Sequence, residues 1–325
     1  GKQGRDKVVF FASAEIESFG DWAEQLIAES TGKEGAGIVP VVGATIGRPH
    51  DFENDRVFVY IKLDGADDNN EMGEKIKALR EAGHPRITLI LRDKYDLAGE
   101  FFRWEYATVV AGKLYNINPF DEPNVTEAKD ITKRLLTEYS EHGKLSPGQP
   151  VMRENNVSLF AAPNTLATLQ EFAVGHAYDT AKMTELLAAQ IAGTHIGDYF
   201  ALLIYGPTTP EHEAKVLDVR RRLRHTTRRA VTVGYGPRYL HSTGQLHKGG
   251  ANNGIFFLLT EDIGDDITVP ALPYSFGALV QSQAAGDFEA LQNHKRRAFR
   301  LHGPSDAACE ALLAAIAFVE ERKAR

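Results

Sequence analysis

Apolar runs with the composition of β-strands alternate with helical patterns along the first half of the chain. The strand runs are KVVFFA, GIVPVVG, RVFVYIKL and ITLILR, and the helical patterns fall on DWAEQLIAES, residues 71–82 and FFRWEYATVVAGKLY. Strands that alternate with helices in this way are typical of βαβ units. The pattern therefore predicts a mostly parallel sheet.

The segment KLSPGQPVMRENN interrupts this alternation, because its Gly, Pro and Asn residues break both helices and strands. We place a domain boundary there, with one domain over residues 1–145 and a second over residues 146–325. The alternation then resumes with the strand runs VSLFAAP, YFALLIYGP, AVTVGYG, GIFFLLT and RAFRLHG. The predicted fold class is α/β, a doubly wound and mostly parallel sheet with flanking helices in two α/β subdomains.

Composition and charge exclude some classes of partner. The 325 residues are 43% hydrophobic and 25% charged, with a formal net charge of -7, which is the mix of a soluble globular protein without a general attraction to nucleic acid or anionic membranes. The Arg-rich stretch RRRLRHTTRR follows EHEAKVLDV on one predicted helix, so we interpret it as a solvated face with balanced charge. No apolar run approaches the ~20 residues that span a bilayer. We expect neither nucleic acid nor a membrane as a partner.

Cysteine usage favours a reducing compartment. Cys309 is the single cysteine, and it lies in the small-residue run AACEALLAAIAF, which is typical of a buried helical face. The start GKQGRDKVVF has neither a signal-peptide layout nor an initiator Met. We therefore expect a cytoplasmic protein whose chain has been processed or truncated.

The segment LIAESTGKEG places a carboxylate, Glu29, at the end of a predicted helix. Trp22, Leu26 and Glu29 are spaced i, i+4 and i+7, which puts the carboxylate on the same stripe as two apolar side chains. Partial desolvation there would raise its pKa toward the range useful for a general base. The alternative is a simple helix end, in which Gly32 is the capping residue and Glu29 pairs with Lys33 for roughly 0.2–0.5 kcal/mol. The spacing alone leaves both interpretations open.

Two further segments are rich in polar residues. In NPFDEPNVTEAKDITKRL, Asp121 or Asn124 can cap a helix whose first turn accommodates Pro123. The loop GPRYLHSTGQLHKGGANNG follows a predicted strand, where ligands of α/β sheets bind, and it holds His241 and His247 among several glycines. Proton exchange or anion binding suits this loop better than a metal, because no Cys, Asp or Glu stands between the histidines. The alternative is that the histidines only form hydrogen bonds within the loop.

Together these three segments resemble the phosphoglucose isomerase family, and most closely the C-terminal isomerase part of bifunctional transaldolase/phosphoglucose isomerases. GDWAEQLIAESTGKEGAGIVPV is similar to the family's Gln-x-x-x-Glu-Ser-x-Gly-Lys segment, and NPFDEPNV to its Phe-Asp-Gln signature. GYGPRYLHSTGQLHKGG is similar to a loop of the bifunctional branch. The resemblance covers residues 19–303. It implies a sugar-isomerase (SIS)-like fold and the isomerisation of glucose 6-phosphate and fructose 6-phosphate through a cis-enediol, without a cofactor or a metal.

The resemblance also implies roles for residues of the first two segments. Glu29 takes the place of the catalytic base, and Gln25, one helical turn earlier, takes the place of a substrate-contacting glutamine. Lys129 lies seven residues after Glu122, as the family lysine that acts at the sugar ring lies seven after its glutamine. Glu122 departs from that glutamine but keeps its place as a substrate-binding residue.

The third segment supplies the expected ring-opening group. The LHSTGQ stretch puts His241 in the place of the family histidine that opens the sugar ring, and Gln245 among the substrate-binding residues. In many bacterial relatives this segment lies between the Glu and Lys motifs, whereas here it follows both. His247 and His50 are therefore kept as alternatives for the ring-opening residue.

Two parts of the family pattern are absent, the Ser/Thr-rich loop that holds the sugar phosphate and the Gly-Gly-Arg segment. Both belong to an earlier SIS domain, so the resemblance implies that the chain is the C-terminal part of a longer enzyme. Without the phosphate-binding half, we expect the isolated chain to be inactive. Expected partners are a sugar phosphate, the N-terminal isomerase and transaldolase domains and, in a homodimer, a second copy. The competing hypothesis is a non-catalytic SIS-like module that binds a sugar phosphate or mediates oligomerisation. A nucleic-acid-binding protein is a third class, which rests on the Arg-rich helix alone.

Overall fold

The first half of the chain forms a four-stranded parallel sheet. The computed structural model describes residues 1–65, 71–145, 148–206 and 208–325. The sheet has the strand order β2-β1-β3-β4, so the chain leaves the central strand β1 toward one edge and returns on its other side. Its elements are β1 (Lys7–Ala12), α1 (Phe19–Thr31), β2 (Val39–Val41), β3 (Arg56–Leu63), α2 (Glu71–Glu81), β4 (Arg86–Leu91) and α3 (Leu97–Tyr115).

The second half forms a six-stranded sheet of order β5-β6-β10-β9-β7-β8, in which the last four strands are parallel and β5 and β6 are antiparallel. Helix α4 (Pro123–His142) connects the two sheets. The elements of the second half are β5 (Met152–Glu154), β6 (Val157–Ala161), α5 (Pro163–Gly175), α6 (Met183–Ala192), β7 (Tyr199–Tyr205), α7 (Pro210–Thr227), β8 (Ala230–Tyr235), α8 (Gly244–Gly249), β9 (Gly254–Thr260), α9 (Phe276–Asn293), β10 (Arg297–His302) and α10 (Ser305–Ala324). The predicted α/β class, with mostly parallel sheets and flanking helices, is confirmed.

The two sheets share one hydrophobic core. Successive side chains of a strand point to opposite faces, so Leu202 of β7 packs with helices α6, α7 and α10, whereas Leu203 faces the other way. Leu203 lies in the same buried cluster as Phe11 and Phe58 of the first sheet. The far face of the first sheet packs against α1 and α3, where Ile27 is buried. The domain boundary after residue 145 stays a prediction, and this core extends across it.

Buried arginines of α7 also join the two halves. The solvated face predicted for RRRLRHTTRR is wrong for Arg220 and Arg224, which are only 6% and 8% exposed. Arg220 donates from Nη1 to the Gly43 carbonyl at 2.8 Å, from Nη2 to Val42 at 2.7 Å and from Nε to Val231 at 3.0 Å. One guanidinium therefore binds the loop after β2 to strand β8.

The last helix behaves as its sequence predicts. Cys309 lies on the buried face of α10, where burial raises the pKa of its thiol to about 12. Among the described residues, every helix is too short or too polar to cross a bilayer.

Candidate functional site

The end of α1 lies against α8. Thr31 closes the helix by donating its hydroxyl hydrogen bond to the Ile27 carbonyl at 2.6 Å. A Cβ on the next residue, Gly32, would lie 2.3 Å from the Cα of Leu246, so glycine is required for this close approach. The ESTGK and LHSTGQLHKGG segments, more than 200 residues apart in sequence, are therefore in direct contact.

Gln245 joins these two segments to the third. Its Nε2 donates to the Gly32 carbonyl at 2.9 Å and to Asn124 Oδ1 at 2.8 Å, while its Oε1 accepts from the Asn124 N–H at 2.9 Å. The side chain is completely buried. The structure thus makes Gln245 a link between the ends of α1 and α4. Its role as a substrate-binding residue stays a prediction that this burial disfavours.

Glu29 and Glu122 face each other beside this link. The Glu29 carboxylate is half-buried, and Gln25 donates to its Oε2 at 3.4 Å. Burial raises the pKa of Glu29, and the neighbouring Glu122 raises it further through a hydrogen bond and its negative charge. Glu122 is the residue that precedes the first turn of α4. The residues predicted from the first two segments therefore come together as a pair of interacting carboxyl groups.

Gly32 caps α1, as the helix-end alternative holds, but Glu29 and Lys33 form no ion pair in the described part of the chain. Lys33 is almost fully buried, and its ammonium donates to the backbone carbonyl of Asp121 and, at 2.9 Å, to Asp121 Oδ1. Lys33 thus fastens the start of the α4 segment to the end of α1. Glu29 is left facing Glu122 and Gln25, so the simple helix-end interpretation does not account for its surroundings.

The buried stripe of α1 differs from the predicted one. Trp22, Leu26 and Glu29 lie at the flank of the buried face, whose members are Phe19, Gly20, Ala23, Glu24, Ile27, Ala28 and Thr31. The carboxylate on the buried face is therefore Glu24, which the sequence analysis missed. The sequence did contain a signal for this burial. Glu24 lies four residues after Gly20 and four before Ala28, so a helix places it on a stripe of small residues.

Glu24 connects α1 to the histidine segment. Ser242 donates to Glu24 Oε1 at 3.4 Å. Burial raises the pKa of Glu24 to about 7, and the charge of Arg238 opposes that rise. This carboxyl group therefore titrates near neutral pH and bonds to the residue that follows His241.

His241 and His247 lie in different environments. His241 ends the short 3-10 helix Arg238–His241 and is exposed. His247 is 2% exposed among the rings of Tyr199, Tyr239 and Phe256, and burial lowers its pKa to about 3. A neutral, enclosed imidazole is poorly suited to open a sugar ring.

The remaining predicted residues, His50 and Lys129, lie in different places. His50 lies in the turn Pro49–Asp51, in a separate cluster with His225. Lys129 is exposed on α4, two turns after Glu122, and forms no ion pair within the described part of the chain. The structure thus places Glu29, Gln25 and Glu122 together, with Lys129 on the adjoining helix and His241 on the turn before α8.

A buried ion pair fixes the position of α8. Lys248 Nζ lies 2.7 Å from Asp287 Oδ1, and both side chains are fully buried. Tyr239 donates its hydroxyl to the other oxygen of Asp287, also at 2.7 Å. This network attaches Tyr239, just before the LHSTGQLHKGG segment, and Lys248, near its end, to helix α9, so His241 and Gln245 lie between two points of attachment.

Sequence comparison finds two related isomerases. No protein-family model matches the chain. Over 167 residues it is 28% identical to the glucose-6-phosphate isomerase of Methanocaldococcus jannaschii, a match that covers 42% of each protein. Over 152 residues it is 28% identical to a probable glucose-6-phosphate isomerase of Methanococcus maripaludis, covering 38% of this chain and 35% of that protein. The chain thus spans about two fifths of the length of these relatives, which support a relation to the phosphoglucose isomerase family.

Two solved structures show a distant likeness to the chain. A hypothetical protein of Thermus thermophilus superposes with a TM-score of 0.38 at 10% identity, covering 98% of this chain and 79% of that one. The C-terminal domain of glucosamine-fructose-6-phosphate aminotransferase from Francisella tularensis gives a TM-score of 0.28 at 9% identity, with coverage of 98% and 85%. Scores this low add nothing to the argument about the site.

Proposed function

We propose that this chain carries the proton-transfer site of a glucose-6-phosphate isomerase, with Glu29 as the base. The observation that carries the proposal is the convergence of three distant segments at the end of α1, beside a carboxyl group whose pKa is raised by burial and by Glu122. A raised pKa makes the ionised carboxylate a stronger base for removing a proton next to a carbonyl. The two related isomerases support the same reaction.

In the proposed reaction a single base serves both proton transfers. Glu29 removes the proton from C2 of the open-chain aldose, the C2–H electron pair forms the C1=C2 double bond, and the carbonyl oxygen O1 takes up a proton. The resulting cis-enediol loses the proton from O2, and the protonated Glu29 returns its proton to C1. The product is the ketose, so no cofactor takes part. General acid–base steps of this kind contribute typically ~10²–10⁴-fold to the rate.

The other residues have supporting roles in this proposal. Gln25, which bonds Glu29, contacts the substrate, and Glu122 raises the basicity of Glu29. His241 and Lys129 open the sugar ring, since both are exposed on elements that adjoin the carboxyl pair. Gln245 contributes by holding the ends of α1 and α4 together.

The direct test is a coupled assay of fructose 6-phosphate conversion to glucose 6-phosphate by the full-length protein. We expect Glu29→Gln to lower turnover at least about a hundredfold while circular dichroism and the melting temperature stay unchanged. Glu105→Gln, which alters an exposed glutamate on α3, is the matched control and should keep full activity. If turnover of the Glu29→Gln variant equals that of the parent, Glu29 is not the catalytic base.

A second function is a non-catalytic module that binds sugar phosphate or mediates oligomerisation. It is favoured by the exposed apolar side chains on the outer face of α3, among them Phe102 at 70% and Tyr106 at 65% exposure. Binding of glucose 6-phosphate by calorimetry without turnover by the full-length protein would establish this alternative. Turnover that depends on Glu29 would exclude it.

A further inference from the structure

Two histidines and an aspartate meet where the two halves of the chain join. His50 and Asp51 lie in the turn Pro49–Asp51 between β2 and β3, and His225 lies in the last turn of α7. We infer that His50, Asp51 and His225 form a binding site for a divalent transition-metal ion, with Zn²⁺ as the best-suited ion. The site is independent of the proposed isomerase reaction.

The separations of the ligand atoms suit one ion. His225 Nδ1 lies 2.9 Å from Asp51 Oδ1, His50 Nε2 lies 3.5 Å from the same oxygen, and all three atoms lie within 4.8 Å of one another. With Zn–N and Zn–O bonds of ~2.0–2.1 Å, two ligands at a tetrahedral angle stand about 3.3 Å apart. The two separations from Asp51 Oδ1 fall on either side of this value. Small rotations of the exposed imidazoles would complete the geometry.

Asp51 is prepared to act as the anionic ligand. Its carboxylate is buried, and its Oδ2 accepts a hydrogen bond from the Arg48 N–H at 2.9 Å, which leaves Oδ1 directed at the imidazoles. An oxygen held in this way needs little rearrangement to become a metal ligand.

The surrounding charges restrict which cation can bind. Arg224 interacts electrostatically with Asp51, and Arg228 donates from Nε to the His50 carbonyl at 2.9 Å. These guanidinium groups oppose a cation held by charge alone, such as Mg²⁺ or Ca²⁺, which prefer oxygen ligands. Ions that bind imidazole strongly, above all Zn²⁺, gain enough free energy from coordination to the two nitrogens to overcome this repulsion.

Metal binding here would fasten the two halves together. Asp51 and His225 are 174 residues apart in sequence, so their meeting depends on the folded arrangement of α7 against the Pro49–Asp51 turn. An ion that binds the folded protein but not the unfolded chain raises stability in proportion to its occupancy. The competing explanation is a charge-assisted hydrogen bond between His225 and Asp51 with no role for metal.

The test is a titration of the full-length protein with ZnCl₂ after treatment with EDTA and removal of the chelator. We expect isothermal calorimetry to show one Zn²⁺ bound, with affinity at least about tenfold weaker in His50→Gln and in His225→Gln. His142→Gln is the matched control, because His142 is also an exposed histidine in the last turn of a helix, and it should bind as the parent does.

A second readout separates the metal site from a structural hydrogen bond. Zn²⁺ should raise the melting temperature of the parent and of His142→Gln but not of the two site variants, and Mg²⁺ should leave all four unchanged. Absence of Zn²⁺ binding, or equal binding by all four proteins, would overturn the proposal. Both altered histidines are exposed, and circular dichroism verifies that the variants are folded.

Discussion

At the scale of single residues, Glu29 and Glu122 form a pair of carboxyl groups whose protonation states depend on each other. Two such groups in contact resist simultaneous ionisation, which raises the pKa of at least one. Here burial and Glu122 both raise the pKa of Glu29. A glutamine at position 122 would keep a polar side chain without the negative charge.

We therefore expect Glu122→Gln to lower the pKa of Glu29. In the proposed isomerase the base must be ionised, so the acidic limb of the pH profile of kcat/KM should move to lower pH. The measurement is the coupled assay across the pH range. Asp130→Asn, a change of an exposed acid on α4, serves as the control and should leave the limb in place. A limb that does not move would show that Glu122 does not act on the catalytic base.

Glu24 makes a different prediction, because its carboxyl group is buried without a full ionic partner. Its pKa of about 7 in the folded protein exceeds its ordinary value of 4.5. Between these values the folded state binds more protons than the unfolded state, so stability falls as pH rises from about 4.5 to 7. Above pH 7 the free energy of unfolding is therefore lower, by up to about 3 kcal/mol, than it would be with an unshifted pKa.

Glu24→Gln should remove this pH dependence. Relative to the parent, the variant should gain stability as the pH rises from 5 to 8, measured as free energies of urea unfolding at each pH. Glu105→Gln should follow the parent throughout. If the free energies of unfolding of the parent and of Glu24→Gln differ by the same amount at pH 5 and pH 8, the raised pKa is contradicted.

Residue roles were only partly predictable from sequence. The stretch ESTGK predicted a carboxylate at the end of α1, where Glu29 lies, and its catalytic role stays a prediction. The assumed stripe of Trp22, Leu26 and Glu29 was displaced around the helix from the real buried face. Helix periodicity gives several stripes, and the choice depends on which face meets the sheet. Glu24 was missed because acids are normally placed on solvated faces.

At the scale of elements, the short helix α8 is the unit that brings the three segments together. The sequence analysis treated residues 244–249 as loop, because six residues with two glycines are too few for a helical period to be recognised. The helices predicted in the first half and most strand runs lie close to their observed bounds. The contact of α8 with α1 could not be predicted, since it depends on tertiary packing.

Gly32→Ala tests this contact. The added methyl group would lie 2.3 Å from the Leu246 Cα and 2.7 Å from the Ala28 carbonyl oxygen, so α8 must move away from α1. We expect a loss of about 1–3 kcal/mol in the free energy of unfolding, and reduced turnover if the proposed function holds.

Gly99→Ala is the control for that substitution. Gly99 lies in α3, and a methyl group there meets open space. The change should leave stability equal or higher, by up to about 1 kcal/mol, because alanine favours a helix. Urea denaturation of both variants gives the comparison, and equal effects would show that the α1–α8 contact is not tight.

At the scale of the whole molecule, the two halves are held by a shared core and by buried cations that donate to backbone carbonyls. Arg220 serves three carbonyls, and Lys7 of β1 donates to the Gly197 carbonyl before β7 at 2.5 Å. The sequence analysis assigned the Arg-rich run to solvent, which is wrong for Arg220 and Arg224. Charge alternation along a helix cannot reveal that another part of the chain will cover it.

Arg220→Met should destabilise the whole protein by about 2–5 kcal/mol, because three buried carbonyls lose their donor. Arg221→Met is the control, because Arg221 is the next residue, is exposed and pairs with Asp218 at the surface. This substitution should cost about 0.5 kcal/mol or less. Urea unfolding followed by fluorescence and circular dichroism gives both values. Equal effects of the two substitutions would contradict the bridging role of Arg220.

The link made by Gln245 limits how the gene can be divided. A fragment that ends at residue 145 would retain Glu29, Glu122 and Lys129, yet it would lose the amide that ties Gly32 to Asn124. The surface once covered by Leu246 would be open to water, and the two helix ends could drift apart. Truncation experiments and split-gene libraries should therefore keep α8 with the first half, even though nearly a hundred residues separate them in the sequence.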